Sequence, residues 1–412
     1  MPIPGFLAIR FVTGLLAVAL AILAFRVGVS DATSVPSGAL PRSHATGTAI
    51  DSSLPRLHRV RAVNDGAEIF RTTCAACHGA DGAGAPQSIV GFTVPLPDFT
   101  DCYAASPETE VDWAATIRDG GPVRGFSRIM PAFRDLLTPE QIRSVAAYLR
   151  TLCKDPRWPR GEFNVPLAQT VEKAFPEDEV VLTSATASPA PGAVENHLIF
   201  EKRFGIRSQL ELDVPFGFVR QPSGGSLSGG LGDMSLAAKH VFVASPASGT
   251  IVSGLAGVVM PTGDRALELG TGTTAFEGYV LGAQLLPSRS YFQFQGGVTL
   301  PVHLDLAPRS AFWGGVLGTT IAAGQISRIW SPMVGVTGTR DLVAGAPVEW
   351  DAAPQLQVSL SALQHVRLSV GAGVPLTQRS SRSAQFLAYL LWDTADGPFL
   401  TGWKGWCPGC QH

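Results

Sequence analysis

The feature that most constrains the fold is a set of segments in the C-terminal half whose residues alternate between apolar and polar. The clearest segments are residues 206–214, 292–300, 355–361 and 365–374. Such an alternation predicts β-strands with one apolar and one polar face. Strands of about ten residues with this pattern are typical of transmembrane β-barrels, whose apolar side faces lipid and whose polar side faces a wet lumen.

A soluble β-sandwich also has alternating strands, so the pattern alone leaves two architectures. Charged residues make up only 16% of the chain, against about 25% in a typical soluble domain. Four tryptophans fall near the ends of predicted strands, as in an interfacial girdle: Trp313, Trp330, Trp350 and Trp392. These features favour the barrel, over residues 194–392. Since single-chain bacterial barrels have even strand numbers, we expect about twelve antiparallel strands.

The N-terminal half contains a second constraining feature, the motif Cys74-Ala75-Ala76-Cys77-His78. C-x-x-C-H is the attachment motif of c-type haem, in which two thiols add to the haem vinyl groups and the histidine lies under the iron. A redox C-x-x-C or a chance match is the alternative. A predicted helix over residues 62–73 leads into the motif, and three glycines follow it, so the motif predicts one covalent haem c.

A low-spin haem needs a sixth ligand, which is commonly methionine in electron-transfer cytochromes. Of the five methionines, only Met130 lies in the expected cytochrome domain, residues 62–160. A methionine in a loop could also serve packing alone, and His44 and His58 are alternative ligands. After this loop, Thr138 and Pro139 predict the start of a helix.

The N-terminus has the pattern of an export signal. A predominantly apolar run, residues 11–25, follows Arg10, which predicts a signal peptide over residues 1–32. An uncleaved anchor helix is the alternative, although a spanning helix needs about 20 residues. Residues 33–61 and the proline-containing residues 161–193 are expected to be linkers. The net charge of −2 gives no indication of a nucleic-acid partner.

Four cysteines lie outside the haem motif. Cys102 and Cys153 are expected to form either a disulfide or two separate buried thiols, and disulfides are permitted in an exported chain. Cys407 and Cys410 lie in a C-terminal tail, residues 393–412. A small disulfide is expected there, with a metal or redox role alongside His412 as the alternative.

Residues 62–160 resemble class I cytochrome c in having a helix, C-x-x-C-H, a methionine loop and a terminal helix in that order. The resemblance implies an all-α domain with Cys74 and Cys77 as thioether anchors and His78 and Met130 as axial iron ligands. It also implies that Pro86 orients the His78 ring through a neighbouring carbonyl.

The C-terminal half resembles an outer-membrane channel family linked to meta-pathway phenol degradation. The resemblance rests on Gly230-Leu231-Gly232-Asp233 and on the segments 260–264 and 269–273. With the cytochrome, the chain is similar to fused cytochrome–porins of outer membranes, some of which oxidise ferrous iron. The resemblance implies a multidomain chain in the outer membrane with a periplasmic cytochrome domain.

The expected sizes of the barrel and the cytochrome domain predict that the haem lies at the mouth of the barrel. Twelve strands about 4.8 Å apart and tilted by about 40° give a backbone diameter near 24 Å. A domain of about 100 residues spans roughly 30 Å or more, so it should not fit inside. We therefore expect electron exchange at the periplasmic mouth with periplasmic redox proteins or a small electron donor.

The sequence favours a non-enzymatic electron carrier, because no acid–base pair or nucleophile triad is evident. Three alternatives remain. The barrel could be a channel for a small solute with an accessory cytochrome, the chain could be an oxidase acting on Fe(II) or a similar donor, or the β half could belong to a soluble periplasmic carrier.

Overall fold

The computed structural model of this 412-residue chain describes residues 64–393 apart from 92, 95, 188–192, 221–226, 324–327 and 362–363. The expected signal peptide (1–32), the linker 33–61 and Cys407 and Cys410 of the tail lie outside the described residues. None of the helices in the described ranges is both long and apolar enough to cross a bilayer.

The first domain is a small helical unit. Its helices are α1 (Gly66–Ile69), α2 (Ala75–His78), α3 (Gln87–Val90), α4 (Cys102–Ala105), α5 (Glu110–Asp119) and α6 (Pro139–Leu149). A π-helical turn at Phe70–Cys74 joins α1 to α2, and a 3-10 turn at Gly121–Arg124 follows α5. Helix α6 begins as the sequence predicts, with Thr138 as N-cap, Pro139 in the first turn and a capping box to Gln141.

The first and last helices of this domain pack closely. A methyl group on Gly66 would lie 2.0 Å from the Ser144 carbonyl oxygen, so only glycine permits this approach. Phe70 is buried with its ring centroid 5.3 Å from that of Tyr148. Tyr148 therefore packs near Gly66 and Phe70, between the first and last helices.

The disulfide alternative for Cys102 and Cys153 is also confirmed, since the two sulfur atoms are bonded. The bond joins α4 to the segment after α6 and closes a loop with a sequence separation of 51. In the chain-entropy model, closing such a loop stabilises the folded state by roughly 4 kcal/mol.

The second domain is a closed antiparallel β-barrel, as the sequence predicts. Its twelve long strands in the described part of the chain are β1 (Glu179–Ala187), β2 (Ala193–Phe204), β3 (Ser208–Arg220), β5 (Ser235–Ser245), β6 (Thr250–Val259), β7 (Ala275–Leu286), β8 (Ser290–Pro301), β9 (Ser310–Thr319), β11 (Arg328–Asp341), β12 (Glu349–Ser359), β13 (Val366–Pro375) and β14 (Gln385–Asp393). Two short strands, β4 (Leu227–Leu231) and β10 (Ile321–Ala323), pair with β3 and β11. Pairing of β1 with β14, from Glu179 opposite Asp393 to Ala187 opposite Gln385, closes the barrel.

The polar face of the strands points into the barrel. On β8, Gln293 is fully buried inside the barrel, whereas Phe292 is exposed on the outside. On β12, Gln357 is buried, whereas Val358 is only half-buried on the opposite face. The alternation thus produces the expected inside and outside faces.

A chain segment, residues 161–178, enters the barrel and fills the lumen on the side of the helical domain. We call it the lumen segment. Its apolar side chains are buried against lumen-facing residues of the strands: Phe163, Val165, Val171 and Phe175 pack with Val241, Ile251, Leu281, Val316 and Met333. The expectation of a wet lumen is therefore wrong for this half of the barrel.

Side chains of the barrel wall satisfy the backbone of the lumen segment. Glutamine amide oxygens accept from its N–H groups: Gln355 from Gln169 at 2.7 Å, Gln295 from Glu172 at 2.9 Å and Gln209 from Glu177 at 2.7 Å. Its carbonyls accept from the wall as well, Pro166 from Gln293 at 2.9 Å and Leu167 from Tyr389 at 2.6 Å. An irregular segment can be buried because these bonds replace those of a helix or sheet.

The expected linker 161–193 is therefore wrong. Residues 161–178 form the lumen segment, Glu179–Ala187 is strand β1, and β2 begins at Ala193. The barrel begins at Glu179 rather than at residue 194. Prolines suggested a linker, but Pro166 and Pro176 occur where the chain has no strand hydrogen bonds to lose.

The helical domain contacts one end of the barrel. Arg203, near the end of β2, places its guanidinium 4.4 Å from the Tyr103 ring and donates to the Tyr103 carbonyl at 3.0 Å. Arg207, in the next turn, donates to the Arg157 carbonyl at 2.7 Å. Arg150 of the helical domain pairs with Glu162 at the start of the lumen segment, at 3.0 Å. The two domains are thus joined by hydrogen bonds and ion pairs as well as by the chain.

Candidate haem site

Helix α2 presents the C-x-x-C-H motif at the end of a continuous helical segment. Asp65 caps α1 by accepting from the Ala67 N–H at 3.0 Å. The segment stops after His78 because Gly79 has a positive φ of 76°. Cys74, Cys77 and His78 therefore lie within about two turns, on a helix fixed to α6 through the buried Phe70.

Cys74 and Cys77 are free and half-buried. Burial, together with the neighbouring Cys77, raises the pKa of the Cys74 thiol to about 11. The same domain does contain a disulfide, between Cys102 and Cys153. The structure thus keeps the two motif thiols separate from the structural pair.

His78 lies between the motif and an aromatic pair. Its ring centroid is 5.2 Å from that of Phe99, which lies 5.9 Å from the Trp113 ring of α5. Burial lowers the pKa of His78, which favours the neutral imidazole, the form that binds a metal. The Nδ1 atom is buried and has no hydrogen-bond partner among the described residues.

The role expected of Pro86 is not evident in this structure. The Pro86 carbonyl accepts from the Ile89 N–H at 2.8 Å, at the start of α3. The backbone before Pro86 does fold against the motif, since Ala85 N–H donates to the Cys77 carbonyl at 2.9 Å and Gly84 N–H to the His78 carbonyl at 2.8 Å. Pro86 thus lies beside the motif, without a hydrogen bond to the ring.

Met130 lies in a tight loop held by two glycines. Its carbonyl accepts from the Gly121 N–H at 3.0 Å, and a methyl group on Gly120 would lie 3.0 Å from the same oxygen. Gly120 also has a positive φ of 85°. Below the loop, the buried Arg124 pairs with Asp112 of α5 at 2.9 Å. These contacts fix the backbone at Met130.

Helix α5 connects the two expected iron ligands. The His78 ring contacts Phe99, which in turn contacts Trp113 on α5. Met130 contacts Gly120 and Gly121, which directly follow the C-terminus of α5. None of these four residues was predicted from the sequence. The Gly120-Gly121 pair could have predicted a tight turn from the sequence. The contacts of Phe99 could not have been predicted, because they depend on the tertiary fold. His44 and His58, the alternative ligands, lie outside the described residues.

Large apolar side chains are exposed on the helical domain. Ile89, Phe126, Ile129 and Leu136 each expose between 42% and 75% of their surface. Two of them, Phe126 and Ile129, belong to the Met130 loop. Two free thiols, an imidazole with a buried unpaired nitrogen, a thioether and uncovered apolar side chains together fit the donor set and apolar contacts that a haem c needs.

Comparison with known proteins supports the helical domain as a cytochrome c domain. Residues 61–149 match the family of cytochrome c oxidase, cbb3-type, subunit III. The cbb3-type cytochrome c oxidase subunit FixP of Sinorhizobium medicae is 36% identical over 107 residues, which cover 24% of this chain and 32% of the relative. Subunit CcoP of Cereibacter sphaeroides is 35% identical over 91 residues, which cover 21% and 27%. The chain spans about a third of the length of these relatives.

Solved structures similar to this chain include β-barrel channels. The superposition on an outer membrane channel from Pseudomonas putida F1 covers 55% of this chain and 99% of the channel, with 14% identity and a TM-score of 0.37. The superposition on the NanC porin covers 52% of this chain and 99% of the porin, with 9% identity and a TM-score of 0.38. At these values the barrel assignment rests on the strand pairing described above.

Proposed function

We propose that this protein is an electron carrier in which a covalent haem c is anchored to the outer membrane by a β-barrel. The observation that carries the proposal is the free pair Cys74 and Cys77 next to His78, on a helix inside the region that matches a cytochrome family. When bound, the haem iron would supply one-electron redox chemistry.

Each candidate residue would have a distinct role. Cys74 and Cys77 would hold the haem by two thioether bonds, and His78, with its lowered pKa, would bind the iron as neutral imidazole. Met130 would supply a second ligand to the iron through its thioether sulfur, on a backbone fixed by Gly121. A methionine ligand raises the reduction potential of a haem, so we propose a carrier of relatively high potential.

We infer that the haem domain lies on the periplasmic side. Outer-membrane barrels have short periplasmic turns and longer extracellular loops. At the end contacting the helical domain, three of the five connections, 205–207, 246–249 and 287–289, have only three or four residues, whereas the longest connections, such as 260–274 and 376–384, are at the other end. This asymmetry supports electron exchange with periplasmic redox proteins or a small electron donor.

We infer that the barrel is an anchor rather than an open channel. The lumen segment fills its periplasmic half and is bonded to the wall from several strands. The same segment continues into the helical domain, where Arg150 pairs with Glu162. This arrangement holds the cytochrome at the mouth and weighs against the alternative of a solute channel.

The experiment is a haem-stained denaturing gel with an optical spectrum of the purified full-length protein. We expect covalent haem and a low-spin spectrum in the wild type, and loss of the haem stain in the double variant Cys74→Ser and Cys77→Ser. The matched control is Cys407→Ser with Cys410→Ser, which should keep the haem. A wild-type protein without covalent haem, produced alongside a working cytochrome c maturation system, would overturn the proposal.

A further inference from the structure

The lumen is open at the end remote from the helical domain. Along β2, the exposed fraction of the lumen-facing side chains rises from 3% at Arg203 and 5% at Glu201 to 33% at His197 and 66% at Glu195. Arg203 lies against the helical domain, and Glu195 lies near the opposite rim. The lumen segment thus forms the floor of a water-accessible vestibule that faces away from the cytochrome.

Three carboxylates meet at this floor. Glu172 belongs to the lumen segment, Glu201 to β2 and Glu211 to β3, and one oxygen of each lies within 4.8 Å of the others. Glu201 and Glu211 are directly opposite each other in the β2–β3 ladder. The lumen segment and the wall therefore contribute to one acidic cluster.

Nearby cations neutralise only part of this charge. The Lys239 ammonium lies 2.8 Å from Glu172 and 3.8 Å from Glu201, and it also donates to the Lys173 carbonyl at 2.9 Å. Lys173 itself pairs with Glu177 and Glu179. With one ammonium for three carboxylates, the ionised cluster would carry two uncompensated negative charges.

One member of the cluster, Glu201 on β2, has a buried and unpaired oxygen. The Glu201 side chain is 5% exposed, and its Oε2 atom is buried without a hydrogen-bond partner among the residues that the structure describes. A buried carboxylate oxygen without a donor is costly. Its partners in the cluster are carboxylates, which cannot donate when ionised, and the Lys239 ammonium lies 3.8 Å from the other Glu201 oxygen, Oε1. A positive group between the three carboxylates would therefore be stabilising.

We propose that Glu172, Glu201 and Glu211 bind one divalent cation of the class that prefers oxygen ligands. Oxygens around such an ion are separated by at most roughly twice the metal–oxygen distance of about 2.1–2.5 Å, so three oxygens that lie within 4.8 Å of one another can share one ion. The two positive charges match the uncompensated charge. Since Glu172 is on the lumen segment and the other ligands are on the wall, the ion would crosslink the lumen segment to the barrel wall. The proposal does not depend on the haem.

The test is Mn²⁺ binding to the purified full-length protein, measured by the EPR signal of free Mn²⁺ at constant pH. We expect about one bound ion per chain, and Kd increased at least about tenfold in Glu201→Gln and in Glu211→Gln, because affinity follows the number of charged ligands. The matched control is Glu277→Gln, which removes another lumen carboxylate, one that accepts from Tyr279 at 2.9 Å. It should keep wild-type affinity.

Each variant is first checked for the unheated gel mobility of a folded barrel, so that misfolding is not taken for lost binding. Where Glu201→Gln does not fold, Glu172→Gln on the lumen segment replaces it. Absence of Mn²⁺ binding to the wild type would overturn the proposal and would indicate that the carboxylates share a proton instead. Equal affinity in the wild type and both folded cluster variants would overturn it too.

Discussion

At the residue scale, the haem motif could be identified from the sequence because its chemistry requires fixed spacing. Cys74, Cys77 and His78 are neighbours along the chain, and Met130 is the one methionine of the domain. The residues that position them could not be identified in this way. Phe99, Trp113 and Arg124 contact the site only after α5 packs, and a pattern within one segment does not report such contacts.

A prediction at this scale concerns Met130. Replacing it in Met130→Ala should leave the haem covalently attached but lower its reduction potential, since a methionine ligand raises the potential. Redox titration followed by absorbance measures the change. Met260→Leu, in the loop between β6 and β7, is the matched control and should have the wild-type potential. An unchanged potential in Met130→Ala would show that another residue is the sixth ligand.

At the element scale, the strands could be predicted better than the lumen segment. Alternation along one strand is local, and it correctly separates Gln293, inside, from Phe292, outside. The lumen segment has no such period, and its partners Gln209, Gln293 and Gln355 come from three different strands. The glutamines were correctly expected to face inward, but the sequence cannot distinguish a glutamine that contacts water from one that contacts a buried chain.

The contact between α1 and α6 gives an element-scale prediction. Gly66→Val should destabilise the helical domain by roughly 1–3 kcal/mol, because any side chain there collides with the Ser144 carbonyl. Thermal unfolding of the purified protein, followed by haem absorbance, measures the loss. Glu68→Ala, on the exposed side of the same helix, is the control and should change stability little. Equal transition temperatures for Gly66→Val and the wild type would contradict the close packing.

The disulfide gives a second prediction at this scale. The double variant Cys102→Ser and Cys153→Ser should lose roughly 4 kcal/mol of helical-domain stability through the larger entropy of its unfolded chain. Denaturant unfolding followed by haem absorbance measures the difference, and the wild type under reducing conditions should approach the variant. A variant as stable as the oxidised wild type would mean that the bond contributes nothing.

At the scale of the whole molecule, the lumen segment allows a prediction of the ion conductance of the barrel. The wild type reconstituted in planar bilayers should pass little current, because the lumen segment is buried against the wall. A variant lacking residues 164–175 should conduct measurably, provided that its unheated gel mobility is that of a folded barrel. A wild-type conductance comparable to that of the deletion variant would show that the segment leaves the lumen.

The order of the two domains along the chain could be predicted from the sequence. The structure of the segment that connects them could not. The prolines predicted a flexible linker, whereas the chain between the domains is the lumen segment, which is fixed to both. The stacking of Arg203 on Tyr103 joins residues that are 100 positions apart. The ion pair of Arg150 with Glu162 spans only 12 positions, but a single pair of side chains produces no periodic pattern in the sequence.

The central claim, one chain that carries both a covalent haem and a closed membrane barrel, is tested most directly on isolated outer membranes. The measurement is a haem-stained gel of that fraction, loaded unheated and boiled. The account predicts one haem band in the outer membrane that changes mobility on boiling, because a closed barrel resists detergent until heated. A haem band found only in the soluble periplasm, with mobility unaffected by boiling, would contradict it.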